Sequence, residues 1–482
     1  MAPARRESLI GRAALSLALF CGFWALGAAL VVALSSIPVA QARYGDGPGP
    51  GGLLAGGLAL WVAWGLRPRG FRSRDGGPDP LGRDAFPALH AFIDDVARRC
   101  GVPVPDAVHV SARANASIGA RRRLLGLRRT RALELGLPLF AFLDRDELAS
   151  VVAHELGHAR GGDVALGAWV YRTRSAVMGA IEALDESAFL LDAPFRLYAR
   201  LFLRVSGAVS RGQELAADAC AVDAAGARAT FDALRRIEHF GPLWEVYFAH
   251  DAVPLLEHGV HVPLVDGFRR FLAEPELRAD VVTAIAAARA SPPDPTDTHP
   301  PTAERLRAVD PARAVELAGG VPGPGCLELL GGAETAEAAW AARAFSVPPQ
   351  VVGWDEVGAH TLLPALAAEL AGSPLDPDLT PPDALPRLVR EADALWSALG
   401  RGVNLLSPAA RRAAGLRALR GFLALSLARR GFAPEVRPGA ELVLCRGRDV
   451  VAPGRVVAAL AEGTLRGDAY LAACAGWERP AA

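Results

Sequence analysis

Val151-Val152-Ala153-His154-Glu155-Leu156-Gly157-His158-Ala159-Arg160-Gly161-Gly162-Asp163 is the stretch on which the reading of this chain turns. His154 and His158 stand four positions apart, so on an α-helix they lie about 40° from each other on one face. Two imidazoles in that relation can grip one metal ion. Glu155, next to the first of them, can reach a water that such an ion activates. The surroundings predict the helix. Asp144 stands at an N-cap position with Glu147 three residues on, a reciprocal capping pattern. Leu148, Val151, Val152 and Leu156 follow at helical spacing, and Gly161-Gly162 ends the run.

A zinc ion needs at least one more protein ligand than this helix offers. The best source is Ser210-Arg211-Gly212-Gln213-Glu214-Leu215-Ala216-Ala217-Asp218-Ala219-Cys220. Glu214 and Asp218 are i and i+4 on a predicted helix and share a face. The helix is otherwise small and apolar (Leu215, Ala216, Ala217, Ala219, Ala221, Val222), which suits burial. Two buried carboxylates are costly unless paired or metal-bound. Glu214 as third ligand, with Asp218 orienting a ligand histidine through its second ring nitrogen, resolves that cost.

His154-Glu155-x-x-His158 followed by Glu214-x-x-x-Asp218 resembles the gluzincin zinc peptidases of the HtpX and CAAX-prenyl-protease type. Two further elements are similar. Asn115-Ala116 resembles the Asn-Ala element on the substrate-binding edge of their sheet. Thr298-His299-Pro300-Pro301-Thr302-Ala303-Glu304-Arg305-Leu306 resembles their His-Pro-Pro…Arg-Leu element. The likeness covers residues 84–312. It implies a metalloendopeptidase with one Zn²⁺ on His154, His158 and Glu214, and with Glu155 as general base. It also implies substrate binding at Asn115 and Ala116, a contact from His299 to the substrate carbonyl, and an Arg305–Asp218 pair near the metal. In such folds an extended substrate adds to a sheet edge through backbone hydrogen bonds. The expected fold is mainly α with a small β-sheet (α+β). Protein or peptide substrates follow, with membrane-protein quality control as the setting. A scaffold or chaperone-like protein keeping this fold is the competing class, but a scaffold has no physical need for Glu155.

The whole chain has 482 residues and no lysine; its 52 basic side chains, all arginine, balance 52 acidic ones. A formal charge of +0 gives no bulk electrostatic case for nucleic acid. Six scattered cysteines indicate neither a disulfide framework nor a Cys-based zinc site. The N-terminus speaks for a bilayer. Residues 13–42 carry no charge and are long enough to span one. Residues 47–66, with Trp61 and Trp64, form a second, glycine-rich candidate. Arg5, Arg6 and Arg12 precede the first stretch, and Arg67, Arg69, Arg72 and Arg74 follow the second. A two-span hairpin then puts both clusters, and the catalytic region, on the cytoplasmic side of the cell membrane. Ala40-Gln41-Ala42 resembles a signal-peptidase site and would give a secreted protease, but the apolar stretch is longer than such signals carry and a second one follows.

The expected organisation is a transmembrane hairpin at 1–66, a basic linker at 67–83, the peptidase domain at 84–318 and a mostly helical accessory module at 326–482, past the glycine-proline run Gly319–Gly325. Residues 84–100 read as an amphipathic helix, 107–110 as a strand and 131–137 as a strand ended by Pro138. Arg121-Arg122-Arg123 and Arg128-Arg129 read as a solvated connector, or one touching anionic lipid. Between the two zinc helices, residues 163–209 carry too many charges for a bilayer core. Amphipathic helices on the domain or at the membrane surface are expected there, with Phe195–Arg204 the best interfacial candidate. His239, His250, His258 and His261 match no ligand spacing. Substrate identity and oligomeric state are not legible.

Overall fold

The computed structural model describes residues 3–45, 47, 49–66, 80–123, 128–160, 193–274, 281–283, 300–313, 322–398 and 407–477. Two compact units make up the chain: Met1–Gly241 with Ala286–Gly332, and Pro242–Ile285 with Ala333–Ala482.

The first unit opens with two apolar helices, α1 (Pro3–Tyr44) and α2 (Pro50–Leu66). Within α1, Leu17–Tyr44 is long and apolar enough to cross a membrane. Gln41 ties the turn between them, its side-chain oxygen accepting from the Gly49 N–H at 3.1 Å. Helix α3 (Pro87–Cys100) buries Leu89, Phe92, Ile93, Val96, Ala97 and Cys100 along one stripe and stops at Gly101, whose φ of 66° is left-handed. That stop frees two carbonyls to accept from the Gly101 N–H.

A three-stranded sheet follows, built from β1 (Ala107–Ser111), β2 (Ala116–Arg123) and β3 (Arg128–Gly136) in the order β1-β3-β2. β1 runs parallel to β3 over 107–111 and 132–136, and β2 pairs antiparallel with β3 from Ala116↔Leu135 to Arg123↔Arg128. The arginines expected in a connector are therefore strand residues. A ladder is made by backbone groups, so the charge pattern of 121–129 did not betray it. The joining residues 124–127 lie outside the described set. The strand of β3 also ends one residue earlier than expected: Leu137 opens a short helix, α4 (Leu137–Phe142), with Pro138 in its first turn, where no N–H is needed. Gly136 makes the corner possible. A Cβ there would sit 1.8 Å from the Arg113 carbonyl oxygen, and its N–H instead donates to Asn115 O at 2.9 Å.

The histidine stretch is helix α5 (Arg145–Arg160). Its capping box is formed as expected: Glu147 N–H donates to Asp144 Oδ1 at 2.9 Å, and Asp144 N–H donates to Glu147 Oε2 at 3.0 Å. Arg236 also donates to buried Glu147. The expected stop at Gly161-Gly162 lies outside the described residues, as does most of the interval 163–209. Residues 195–204 belong to one long helix, α6 (Ala193–Ala225), on which Leu197 and Leu201 are exposed. Phe202 and Leu203 are buried in one cluster with Phe23 of α1 and Val62 of α2. Tyr198 packs where Gly22 has no side chain; a Cβ there would lie 2.1 Å from the Tyr198 hydroxyl. One stripe of the helix thus packs on an apolar neighbour while Arg200 and Arg204 stay exposed. Helices α7 (Ala227–Tyr247) and α8 (Thr302–Val309) follow in the chain.

The second unit is mostly helical. Its core gathers around the helix Pro408–Ala428, whose Leu419, Phe422 and Leu423 are fully buried. Gly415 lets that helix lie against the Ala392 carbonyl, 1.8 Å from where a Cβ would sit. A three-stranded antiparallel sheet (Ala433–Glu435, Val443–Arg446, Asp449–Val451) and two helices (Pro453–Glu462, Gly467–Trp477) close it. Buried Glu337 accepts from the N–H groups of Leu264 and Val265 at 2.8 and 2.9 Å, capping the helix Leu264–Ala273 from outside.

Candidate metal centre

The site is made by α5 against α6, and Gly157 sets how close they come. A Cβ on Gly157 would lie 3.0 Å from Cys220 Cβ and 3.1 Å from Ala217 Cα. Small residues on both helices thus bring the backbones together between the two histidines. Glu214, one turn before Asp218 on α6, arrives opposite both imidazoles.

His154 Nε2 lies 3.5 Å from Glu214 Oε2, and His158 Nε2 lies 3.6 Å from Glu214 Oε1. One donor atom from each of the three residues falls within 4.8 Å of the others. Donors at zinc-like bond lengths of about 2.0–2.1 Å in a tetrahedron are about 3.3–3.4 Å apart. The two histidine–carboxylate separations are a few tenths of an ångström wider and all three donors lie within 4.8 Å of one another, so the donor set fits such an ion once it draws inward. Two imidazoles and a carboxylate are also the right chemistry for it. Among the described residues, no other histidine, cysteine or carboxylate group has this spacing, and His239, His250, His258 and His261 form none.

The orientation of His154 is fixed from behind. Its Nδ1 donates to Asp218 Oδ1 at 2.9 Å, so Nε2 is the nitrogen left to face Glu214. Asp218 is held in turn by Arg305 on α8, which donates through Nε at 2.9 Å to Oδ2 and through Nη2 at 2.7 Å to Oδ1. The fork geometry suits arginine and not lysine. Burial opposes charge on His154, but Asp218 and Glu214 outweigh it and raise its pKa to about 9. Burial likewise opposes ionised Asp218, and Arg305 and His154 overcome it, holding the carboxyl below its usual range.

Glu155 accepts a hydrogen bond from the backbone N–H of Ile118 at 3.1 Å. That N–H points away from β3, so the outer edge of β2, unpaired by any other strand among the described residues, runs beside the carboxylate. Asn115, exposed, and Ala116, buried, stand at the head of this strand. The structure brings together His154, Glu155, His158, Glu214, Asp218 and Arg305. His299 lies outside the described residues. Two participants were not singled out from sequence. The Ile118 N–H leaves no signal, because any residue but proline supplies it. Gly157 carried one: a glycine between two ligands, matched by Ala217 and Cys220 on the facing helix.

Residues 84–313 match peptidase family M48. The chain is similar to a protease HtpX homolog of Acidiphilium cryptum (strain JF-5), 32% identical over 217 residues, which are 41% of this chain and 72% of that protein. It is 25% identical to a protease HtpX homolog of Sulfurihydrogenibium sp. (strain YO3AOP1) over 46% of this chain and 73% of the relative. A protease HtpX homolog of Salinibacter ruber (strain DSM 13855 / M31) is 26% identical over 50% and 79%. No solved structure matches the chain.

Proposed function

The chain belongs to peptidase family M48 with the HtpX homologs, and from that premise we propose that it is a membrane-anchored zinc metalloendopeptidase cutting protein substrates at the α5–α6 site. The observation that carries the proposal is the convergence of His154, His158 and Glu214 donors beside Glu155. His154, His158 and Glu214 would hold the zinc ion, which when bound would supply Lewis acidity toward the scissile carbonyl and a water. Glu155 takes the proton of the attacking water and returns it to the leaving amine. Asp218 holds His154 in the tautomer that leaves Nε2 to bind, and Arg305 holds Asp218. An extended substrate segment adds to the free edge of β2, starting from Asn115 and Ala116, with the Ile118 N–H nearest the reacting bond. His299 completes the proposed site as a donor to the substrate carbonyl oxygen.

The anchor is the α1–α2 hairpin, and the accessory module is the region 326–482. Apolar Leu17–Tyr44, the Gln41 tie to Gly49 and the burial of Phe23 with Val62 support the hairpin. The arginine clusters at its two ends support a peptidase domain on the cytoplasmic face of the cell membrane. Burial of Phe202 and Leu203 in the same cluster supports α6 accompanying the hairpin at its first half.

The test is Glu155→Gln in the full chain. It removes the base and keeps the metal donors, so bound zinc stays near one per chain while turnover falls about 100-fold or more. Retained proteolysis in that variant rejects the mechanism. Loss of zinc from Glu214→Ala checks the ligand set separately.

A further inference from the structure

β1 covers β3 only over 132–136, so the pairing of β2 with β3 beyond Gly119↔Ala132 runs out as a two-stranded ribbon. Residues 116–131 contain six arginines and no acidic residue, although charge over the whole chain is balanced. The register sets Arg122 opposite Arg129 and Arg123 opposite Arg128. Like charges directly opposed destabilise a strand pair, and an isolated two-stranded ribbon is marginal in water without that burden. Arg131 is accounted for within the fold, its backbone N–H donating to Asp106 and its guanidinium to the Val104 carbonyl.

We propose that this arginine ribbon is a docking surface for the anionic headgroups of the bilayer in which the chain is anchored. The proposal rests on the anchored reading above. Charge complementarity identifies the partner class, and composition narrows it. The segment has no aromatic, Asn or Gln residue for stacking on or reading nucleic-acid bases. Arginines occupy both strands, whereas a single acidic peptide adding to the edge would engage β2. Attraction between a ribbon and a charged surface decays within about 8–10 Å at ordinary salt. A tether to the same membrane keeps the ribbon near that range, where the neutral net charge of the chain gives no long-range pull. Docking would hold the substrate-binding edge strand at a fixed height over the leaflet.

The experiment is backbone hydrogen exchange on the full chain in nanodiscs of phosphatidylcholine, or of phosphatidylcholine mixed with phosphatidylglycerol. Exchange of 116–131 is expected to slow about tenfold or more in anionic discs, to recover in high salt, and to leave 145–160 unchanged. Arg122→Gln with Arg129→Gln should weaken the response by about fivefold per arginine, and the lysine pair should retain it. The glutamine pair should also slow exchange in neutral discs, by relieving the opposed charges. Equal exchange in both discs overturns the proposal, as does protection that appears in neutral discs on adding polyglutamate or an oligonucleotide. A chain that fails to enter discs refutes the anchor instead, and the ribbon is then tested by the same comparison on vesicles of the two compositions.

Discussion

Gly157→Ala isolates the role of helix approach in building the metal centre. The new methyl would sit 3.0 Å from Cys220 Cβ and 3.1 Å from Ala217 Cα. Ordinary carbon–carbon contact begins near 3.5 Å, so α5 and α6 must part by about 0.5 Å. That shift exceeds the tolerance of roughly 0.2 Å on a metal–ligand distance, and it starts from donors already 3.5 and 3.6 Å apart. Stability changes less. Overpacking costs about 1–3 kcal/mol, while alanine in place of glycine within a helix returns about 1 kcal/mol. The expected variant is therefore folded, with a Tm within several degrees of the parent, and binds zinc roughly 10–100-fold more weakly, the scale seen when a ligand loses its positioning. Zinc competition against a chelating dye, with circular dichroism on the same samples, measures both. Cys220→Gly in the same background relieves the shorter contact and should restore part of the affinity. Wild-type zinc affinity in Gly157→Ala would falsify the idea that this close approach places Glu214.

Other expectations follow from the same contacts. Asp218→Asn leaves a neutral partner behind His154 and should lower zinc affinity about 10–100-fold, with Arg305 losing its ionic partner; unchanged affinity by dye competition would show that the histidine needs no such support. Glu337 is buried, which pushes its pKa up to about 7 against the two N–H groups it caps. The folded chain then holds a proton the unfolded chain has lost, so the stability of the second unit should fall as pH rises from about 4.5 to 7. Thermal melts of Glu337→Gln should lack that slope, and a wild-type slope in the variant refutes the assignment. Asp144→Ala removes one half of the capping box and should cost about 1 kcal/mol in denaturant melts, without changing zinc affinity.

Much of the centre was legible in sequence because helical spacing is a local property. His154 and His158 share a face by arithmetic, Asp144 and Glu147 cap each other across one turn, and Glu214 and Asp218 stand on one stripe of an apolar helix. Strands β1 and β3 and helix α3 carried ordinary period signals. What local pattern could not carry was pairing. The arginines of 121–129 look like a solvated loop until β3 is laid beside β2, since a backbone ladder is indifferent to side-chain charge. Residues 195–204 show an amphipathic stripe, but not that its partner is Phe23 of α1 and Val62 of α2. Residue type and helical spacing fix the candidate donors and the helices that bear them. Tertiary structure alone decided that Gly157 admits α6, that Arg305 reaches Asp218 across 87 residues, and that the Ile118 N–H turns to Glu155. The physical reason is range: helix periodicity is written over a few residues, whereas a metal site requires atoms distant in the chain to meet within a few tenths of an ångström.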